Sequence, residues 1–201
     1  MNPTTTTTAI PALVLCGGAG TRLGRGEKPL VTVCGEPMLD RVARALRASG
    51  VSTVHAVPSP RTPQTRARAR ELGLAVVDAP GDGYVADLRH ALDAVGSPAL
   101  TVAADLPHLA SDHVDRAIAD ARSADGVASL TVCVPVALKR SLGVSVDTRF
   151  EHAGRPVAPT GLNVVGDDAD ETENVSVVDD KRLAVNVNRP ADREVAESRC
   201  D

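Results

Sequence analysis

An apolar run, Ile10 to Leu15, empties directly into Cys16-Gly17-Gly18-Ala19-Gly20-Thr21-Arg22-Leu23-Gly24, which holds four glycines in eight positions. Lys28-Pro29-Leu30 follows shortly after. A strand that ends in such a loop can turn sharply and bring its backbone N–H groups close to a ligand. Arg22 and Lys28 stand where a polyphosphate would need its charge neutralised. The combination predicts a nucleoside-triphosphate site at the carboxyl end of a first strand, and with it an α/β fold.

Two better-known phosphate loops are excluded. No Gly-Lys pair exists anywhere in the chain, so the loop is not a P-loop. The third glycine of the dinucleotide fingerprint arrives one place late, at Gly24. Composition removes further classes. The 201 residues contain one Tyr (Tyr84), one Phe (Phe150) and no Trp, so the core is Val, Ala and Leu. Base recognition by aromatic stacking is thereby nearly excluded, and a net charge of -4 argues against nucleic acid as a partner. Cys16, Cys34, Cys133 and Cys200 form no C-x-x-C pair and have no His at ligand spacing. They read as scattered, buried, reduced thiols of a cytoplasmic protein. No apolar stretch is long enough for a membrane span. Residues 1–9, rich in Thr, read as a disordered lead-in and not as a signal peptide.

Residues 10–201 read as one domain, without repeats or a linker. A helix starts at Pro37 and stops at Gly50, with Leu39, Val42, Ala43 and Leu46 on one face. Val51 to Val57 is the next strand, and Pro58 to Pro63 is a rigid loop leading into a short basic helix that ends at Gly73. Leu74 to Val77 is a strand, and Tyr84 to Val95 a helix behind the Gly81-Asp82-Gly83 break. Ala99 to Ala103 is a buried strand, and Ser111 caps a helix running to Arg122. Further strands are expected at Leu130 to Val136, Gly161 to Val165, Ser176 to Val178 and Leu183 to Val187, with a closing helix from Ala191.

Asp105 ends the strand Ala99 to Ala103 and leads into Leu106-Pro107. A carboxylate there either forms the turn or holds Mg²⁺ beside phosphates. In a parallel sheet both strand ends open onto one crevice, so Asp105 can face whatever the glycine loop holds. Asn186 and Asn188 either complete a metal's coordination or cap the closing helix. Asp87 either meets a guanine edge or ribose, or is a solvated carboxylate favoured by its helix dipole. The five histidines do not cluster in sequence, which speaks against a His-based catalyst.

The stretch Leu15 to Leu30 resembles the signature of the nucleotidyltransferase superfamily that includes molybdenum-cofactor guanylyltransferases and sugar-1-phosphate nucleotidyltransferases. Four further segments narrow the resemblance to the archaeal adenosylcobinamide-phosphate guanylyltransferases. These are Pro58-Ser59-Pro60-Arg61-Thr62-Pro63-Gln64-Thr65, Gly81 to Leu88, Pro159-Thr160-Gly161-Leu162-Asn163-Val164-Val165, and Leu183 to Pro190. The resemblance implies a three-layer sandwich around a mostly parallel sheet of Rossmann-like type. It also implies transfer of GMP from GTP to adenosylcobinamide phosphate with Mg²⁺ as cofactor, and pyrophosphate as the second product. Carried over by position, Leu15, Cys16, Gly17, Gly18, Ala19, Gly20, Thr21, Ser59, Gly83 and Asp87 would bind nucleotide. Arg22 would hold the β- and γ-phosphates, Lys28 the α-phosphate, and Asp105 the metal with Asn186 and Asn188. Gly161 and Asn163 would line the acceptor cleft. No nucleic acid, no membrane and, at most, a second copy of the chain are the remaining partner expectations. The alternatives are the same chemistry on molybdopterin or a sugar 1-phosphate, or a non-catalytic GTP-binding subunit.

Overall fold

A computed structural model of the chain describes residues 9–18, 20, 23–24, 26–123, 126–167 and 174–200. Strand β1 (Ala12–Leu15) leads through the glycine loop to a 3₁₀ turn at Lys28–Leu30, and the hairpin strands β2 (Thr32–Val33) and β3 (Glu36–Pro37) follow. Then come α1 (Met38–Arg47), β4 (Val54–Val57), α2 (Pro63–Glu71), β5 (Ala75–Val76), α3 (Tyr84–Val95) and β6 (Ala99–Ala103). The second half holds α4 (Ser111–Ala121), the short pair β7 (Arg122–Ser123) and β8 (Gly126–Val127), β9 (Leu130–Pro135) and α5 (Val136–Leu142). The hairpin β10 (Phe150–His152) and β11 (Arg155–Val165), then β12 (Asn174–Val177) and α6 (Pro190–Glu197), complete it.

The main sheet runs β12-β9-β11-β6-β1-β4-β5, with β10 added beside β11. Around β1 it is parallel, with Leu15 opposite both Val57 and Ala103. Beyond β6 it becomes mixed, because β11 runs antiparallel to both β6 and β9. Alternation along β1 sends Ala12 and Val14 into the core under α1 and α4, while Leu13 enters the core under α3. Helices therefore cover both faces, and the expected three-layer α/β sandwich is observed. The chain order reverses at β1, flanked by β4 and β6, which opens a crevice at the carboxyl ends of β1 and β6.

Three readings of the sequence need correction. Residues 183–187 form no strand: they make a turn and then an extended segment. Leu183, Ala184, Val185 and Val187 are all buried, as in a core strand, but the backbone meets no ladder. Val187 N–H donates to the Asp105 carbonyl at 3.0 Å, and the Ala184 carbonyl accepts from Lys139. The strand expected near Leu130 to Val136 is present as β9, ending at Pro135, the cap position of α5, a helix closed by Gly143 in the left-handed region at φ 74°. Ser111 is the first residue of α4 and does not cap it; the cap position is Ala110, whose N–H donates to His113 Nδ1. Finally, Cys34 and Cys200 form a disulfide, leaving only Cys16 and Cys133 as buried thiols. The β2–β3 turn and the end of α6, 166 residues apart, are brought together by the packing of Val31, Val33 and Met38 against Val187 and Ala196.

Candidate active site

The loop after β1 folds back on itself. Lys28 N–H donates to the Gly18 carbonyl at 3.2 Å, while Leu23 and Gly24 N–H both donate to the Gly20 carbonyl. Gly20 sits at φ +64°, and a Cβ there would meet the Gly26 carbonyl oxygen at 2.3 Å, so only glycine closes this loop. Glu27, which sequence reasoning missed, ties the loop to α2. Its carboxylate accepts from the N–H groups of Gln64 and Thr65 at 2.9 and 2.6 Å, at the end of the helix that favours negative charge. Ser59 closes the loop from the β4 side, donating its hydroxyl to the Gly17 carbonyl at 3.1 Å.

At the centre, Lys28 Nζ donates to Asp105 Oδ2 at 2.5 Å and to Asn188 Oδ1 at 2.6 Å. These are half-buried groups, so the ion pair is screened less than a surface pair. Asn186 Nδ2 donates to Asp105 Oδ1 at 3.3 Å and to the Thr160 carbonyl at 2.7 Å. The Asn186 amide oxygen accepts from the buried Lys139 Nζ at 2.8 Å. Burial pushes the Lys139 ammonium below its ordinary pKa, against the charges of Asp105, Asp192 and Asp147. The oxygens left to meet a cation other than Lys28 are therefore those of Asp105 and Asn188, while Asn186 presents N–H to the site. Asp192 fixes Asn188 from behind: buried, it accepts from the N–H groups of Asn188, Arg189 and Ser145 and from the Ser145 hydroxyl.

Two cavities meet at Asp105. The smaller, about 280 Å³, is lined by Leu15, Gly17, Gly18, Lys28, Ser59, Gly83 and Asp87 among others. The larger, about 790 Å³, includes Gly161, Asn163, Lys139, Asn186 and Asn188 in its wall. Tyr84, Ala103 and Asp105 belong to both. Cys16 lies behind the smaller cavity, its thiol pushed up to about 12 by burial, and donates its N–H to the Val57 carbonyl. Asp87 uses one oxygen to accept from Gly81 N–H at 2.8 Å, which holds the turn before Gly83. Gly161 is at φ +86°, at the irregularity of β11 between Pro159 and Asn163, and a Cβ there would press on Ala103 at 3.1 Å. Asn163 Nδ2 lies 3.5 Å from Thr101 Oγ1. Ala19, Thr21 and Arg22 are outside the described residues.

Lys139 and Asp192 also escaped the sequence reading. Asp192 had a signal, an acidic residue at the third position of a helix beginning at Pro190. Lys139 had none, since its partners lie 45 and 47 residues downstream.

Residues 12–142 match the MobA-like NTP transferase domain. The chain belongs to the MobA-like NTP transferase family. Members of this family are nucleotidyltransferases, and so is this chain. It is 30% identical over 197 residues to the adenosylcobinamide-phosphate guanylyltransferase of Methanocaldococcus jannaschii, an alignment that covers 92% of this chain and 95% of that one. It is 38% identical over 130 residues to the molybdenum cofactor guanylyltransferase of Bradyrhizobium, covering 60% of this chain and 58% of that one. The CMP:2-keto-3-deoxy-manno-octonic acid synthetase crystallised with CTP shares its fold, with a TM-score of 0.69 at 17% identity, covering 94% of this chain and 96% of that one.

Proposed function

We propose that this MobA-like transferase moves GMP from GTP to adenosylcobinamide phosphate and releases pyrophosphate, a step in cobalamin biosynthesis. The observation that carries the reading is the meeting of two cavities at Asp105 and Lys28. One is walled by the glycine loop, and the other is built largely from residues after 142. The molybdenum cofactor relative is matched over 60% of this chain. The cobinamide relative is matched over 92%, which extends the likeness into the segments that form the second cavity.

In this reading the nucleotide occupies the smaller cavity, with its phosphates along Gly17, Gly18 and Gly20, held by Arg22 and Lys28. Ser59, Gly83 and Asp87 face the nucleoside. The acceptor occupies the larger cavity, with Gly161 and Asn163 in its wall. An oxygen of the acceptor phosphate attacks the α-phosphorus; the new O–P bond forms as the bond to the bridging oxygen of pyrophosphate breaks. The attacking monoester is already deprotonated near neutral pH, so no general base is required. The chain's work is positioning and charge neutralisation. Lys28 exchanges Asp105 and Asn188 for the α-phosphate, where its charge stabilises the transition state.

The residues fit Mg²⁺. Two hard oxygens, from Asp105 and Asn188, converge on a single cationic point that Lys28 Nζ fills. Bound there, Mg²⁺ would neutralise phosphate oxygens. The test is pyrophosphate release from GTP and Mg²⁺ with each acceptor supplied separately. Release with adenosylcobinamide phosphate is expected. Release with molybdopterin or a sugar 1-phosphate in its place would overturn the choice of acceptor, and release with none would overturn the enzyme.

A further inference from the structure

Aromatic side chains usually serve the core, where each buries about 150–250 Å². This chain has two, Tyr84 and Phe150, and neither does so. Tyr84 is 56% exposed and Phe150 38% exposed, while the fully buried large side chains are Leu, Val and Met. The two stand 66 positions apart on unrelated elements, the first turn of α3 and the first residue of β10, yet both line the larger cavity. Leu88, Leu130, Pro159 and Val164 add apolar surface to the same wall. Charge is supplied there by Lys139, Asp105 and Asp147. A cavity of about 790 Å³ lies within the range of small-molecule sites, roughly 300–1,000 Å³, and far exceeds what a phosphate group alone would fill.

We propose that Tyr84 and Phe150 are contact surfaces for a flat, largely apolar ring face on the acceptor, and that they set acceptor specificity. The inference rests on the transfer reading above and goes beyond it by naming what recognises the acceptor away from its phosphate. The occupant follows from continuity: the cavity opens onto Asp105, so a ligand whose phosphate reaches that carboxylate must place its remainder against these walls. Truncating an aromatic face in contact with a flat conjugated ring costs about tenfold in affinity, which is about 1.4 kcal/mol. Adenosylcobinamide phosphate offers two such faces, its macrocycle and the adenine of its upper ligand.

The experiment measures equilibrium binding of cobinamide phosphate, with either an adenosyl or a cyano upper ligand, to the wild type, Tyr84→Ala, Phe150→Ala and Phe150→Leu. KM for GTP and for acceptor is measured in the same set. The alanine variants are expected to bind the acceptor about tenfold more weakly, with acceptor KM raised in step and GTP KM unchanged; Phe150→Leu should recover part of the loss. A loss confined to the adenosyl form places the aromatics on adenine, and a loss with both forms places them on the macrocycle; either supports the proposal. Unchanged acceptor affinity in an active wild type and its variants overturns the proposal while leaving the transfer reading intact. A loss that falls on GTP instead assigns Tyr84 to the nucleotide and also overturns it. If the wild type binds neither form, both the transfer reading and the proposal fall.

Discussion

At the residue scale the centre of the site is an ammonium shared between two oxygens. Lys28 donates to Asp105 and Asn188 and lies beside the glycine loop. In the proposed reaction its charge meets the α-phosphate as negative charge grows there, while the glycine loop and Ser59 face the rest of the nucleotide, so its loss falls on rate more than on binding. Lys28→Ala is expected to lower turnover by about 10²–10³, or roughly 2.7–4 kcal/mol of transition-state stabilisation, while the dissociation constant for GTP stays within a few-fold. Isothermal titration with GTP and a pyrophosphate assay check both halves, and near-wild-type turnover would remove Lys28 from the mechanism. Both members of this pair were legible in the sequence because each follows a strand that the hydrophobic pattern marks clearly. The amide of Asn186 was not. Its position predicts a metal ligand or a cap of the closing helix, but its oxygen accepts from Lys139, and no local spacing records a contact across 47 residues.

At the element scale, the helices whose ends carry Gly or Pro were legible to within a residue or two, α3 from Tyr84 to Val95 among them. The 183–188 segment was not, because strand status depends on a neighbouring ladder that a single segment cannot reveal. Just ahead of that segment the chain is fixed by a charged clasp. Asp180 accepts from Arg182 through its backbone and side chain and from His113 Nε2 at 3.1 Å, which ties the segment to α4. The Arg182 hydrogen bond, with His113 adding to it, holds the Asp180 carboxyl well below the ordinary carboxylate range, against a desolvation that acts the other way. A carboxylate with a depressed folded pKa stabilises the fold above its unfolded value, about 3.9, and loses that contribution as pH falls toward the folded value. Asp180→Asn should therefore lower the urea midpoint at pH 7, and the gap to wild type should narrow below about pH 4. An equal gap at pH 7 and pH 3 would show that the clasp works by shape and not by charge.

At the scale of the whole molecule, the sheet sets two strand ends side by side, and the chain's last elements return to complete what the first elements begin. Asn188 precedes α6, and Arg193 on that helix donates to the Thr32 carbonyl in the hairpin that follows Lys28. The Cys34–Cys200 disulfide joins the same hairpin to the far end of α6. The absence of a C-x-x-C pair and of a His at ligand spacing predicts four free thiols, since pairing over 166 residues leaves no local mark. Closing a loop of that length restricts the unfolded chain, and such bridges stabilise by about 2–4 kcal/mol. For a chain of this size, reduction should lower the thermal midpoint by roughly 5–15 °C. Thiol titration in denaturant gives the matching count: two thiols before reduction, Cys16 and Cys133, and four after. Cys34→Ser should reproduce the reduced midpoint and make it insensitive to reductant. Four thiols before reduction, or a midpoint that reductant does not move, would show that the hairpin and α6 are held by packing alone.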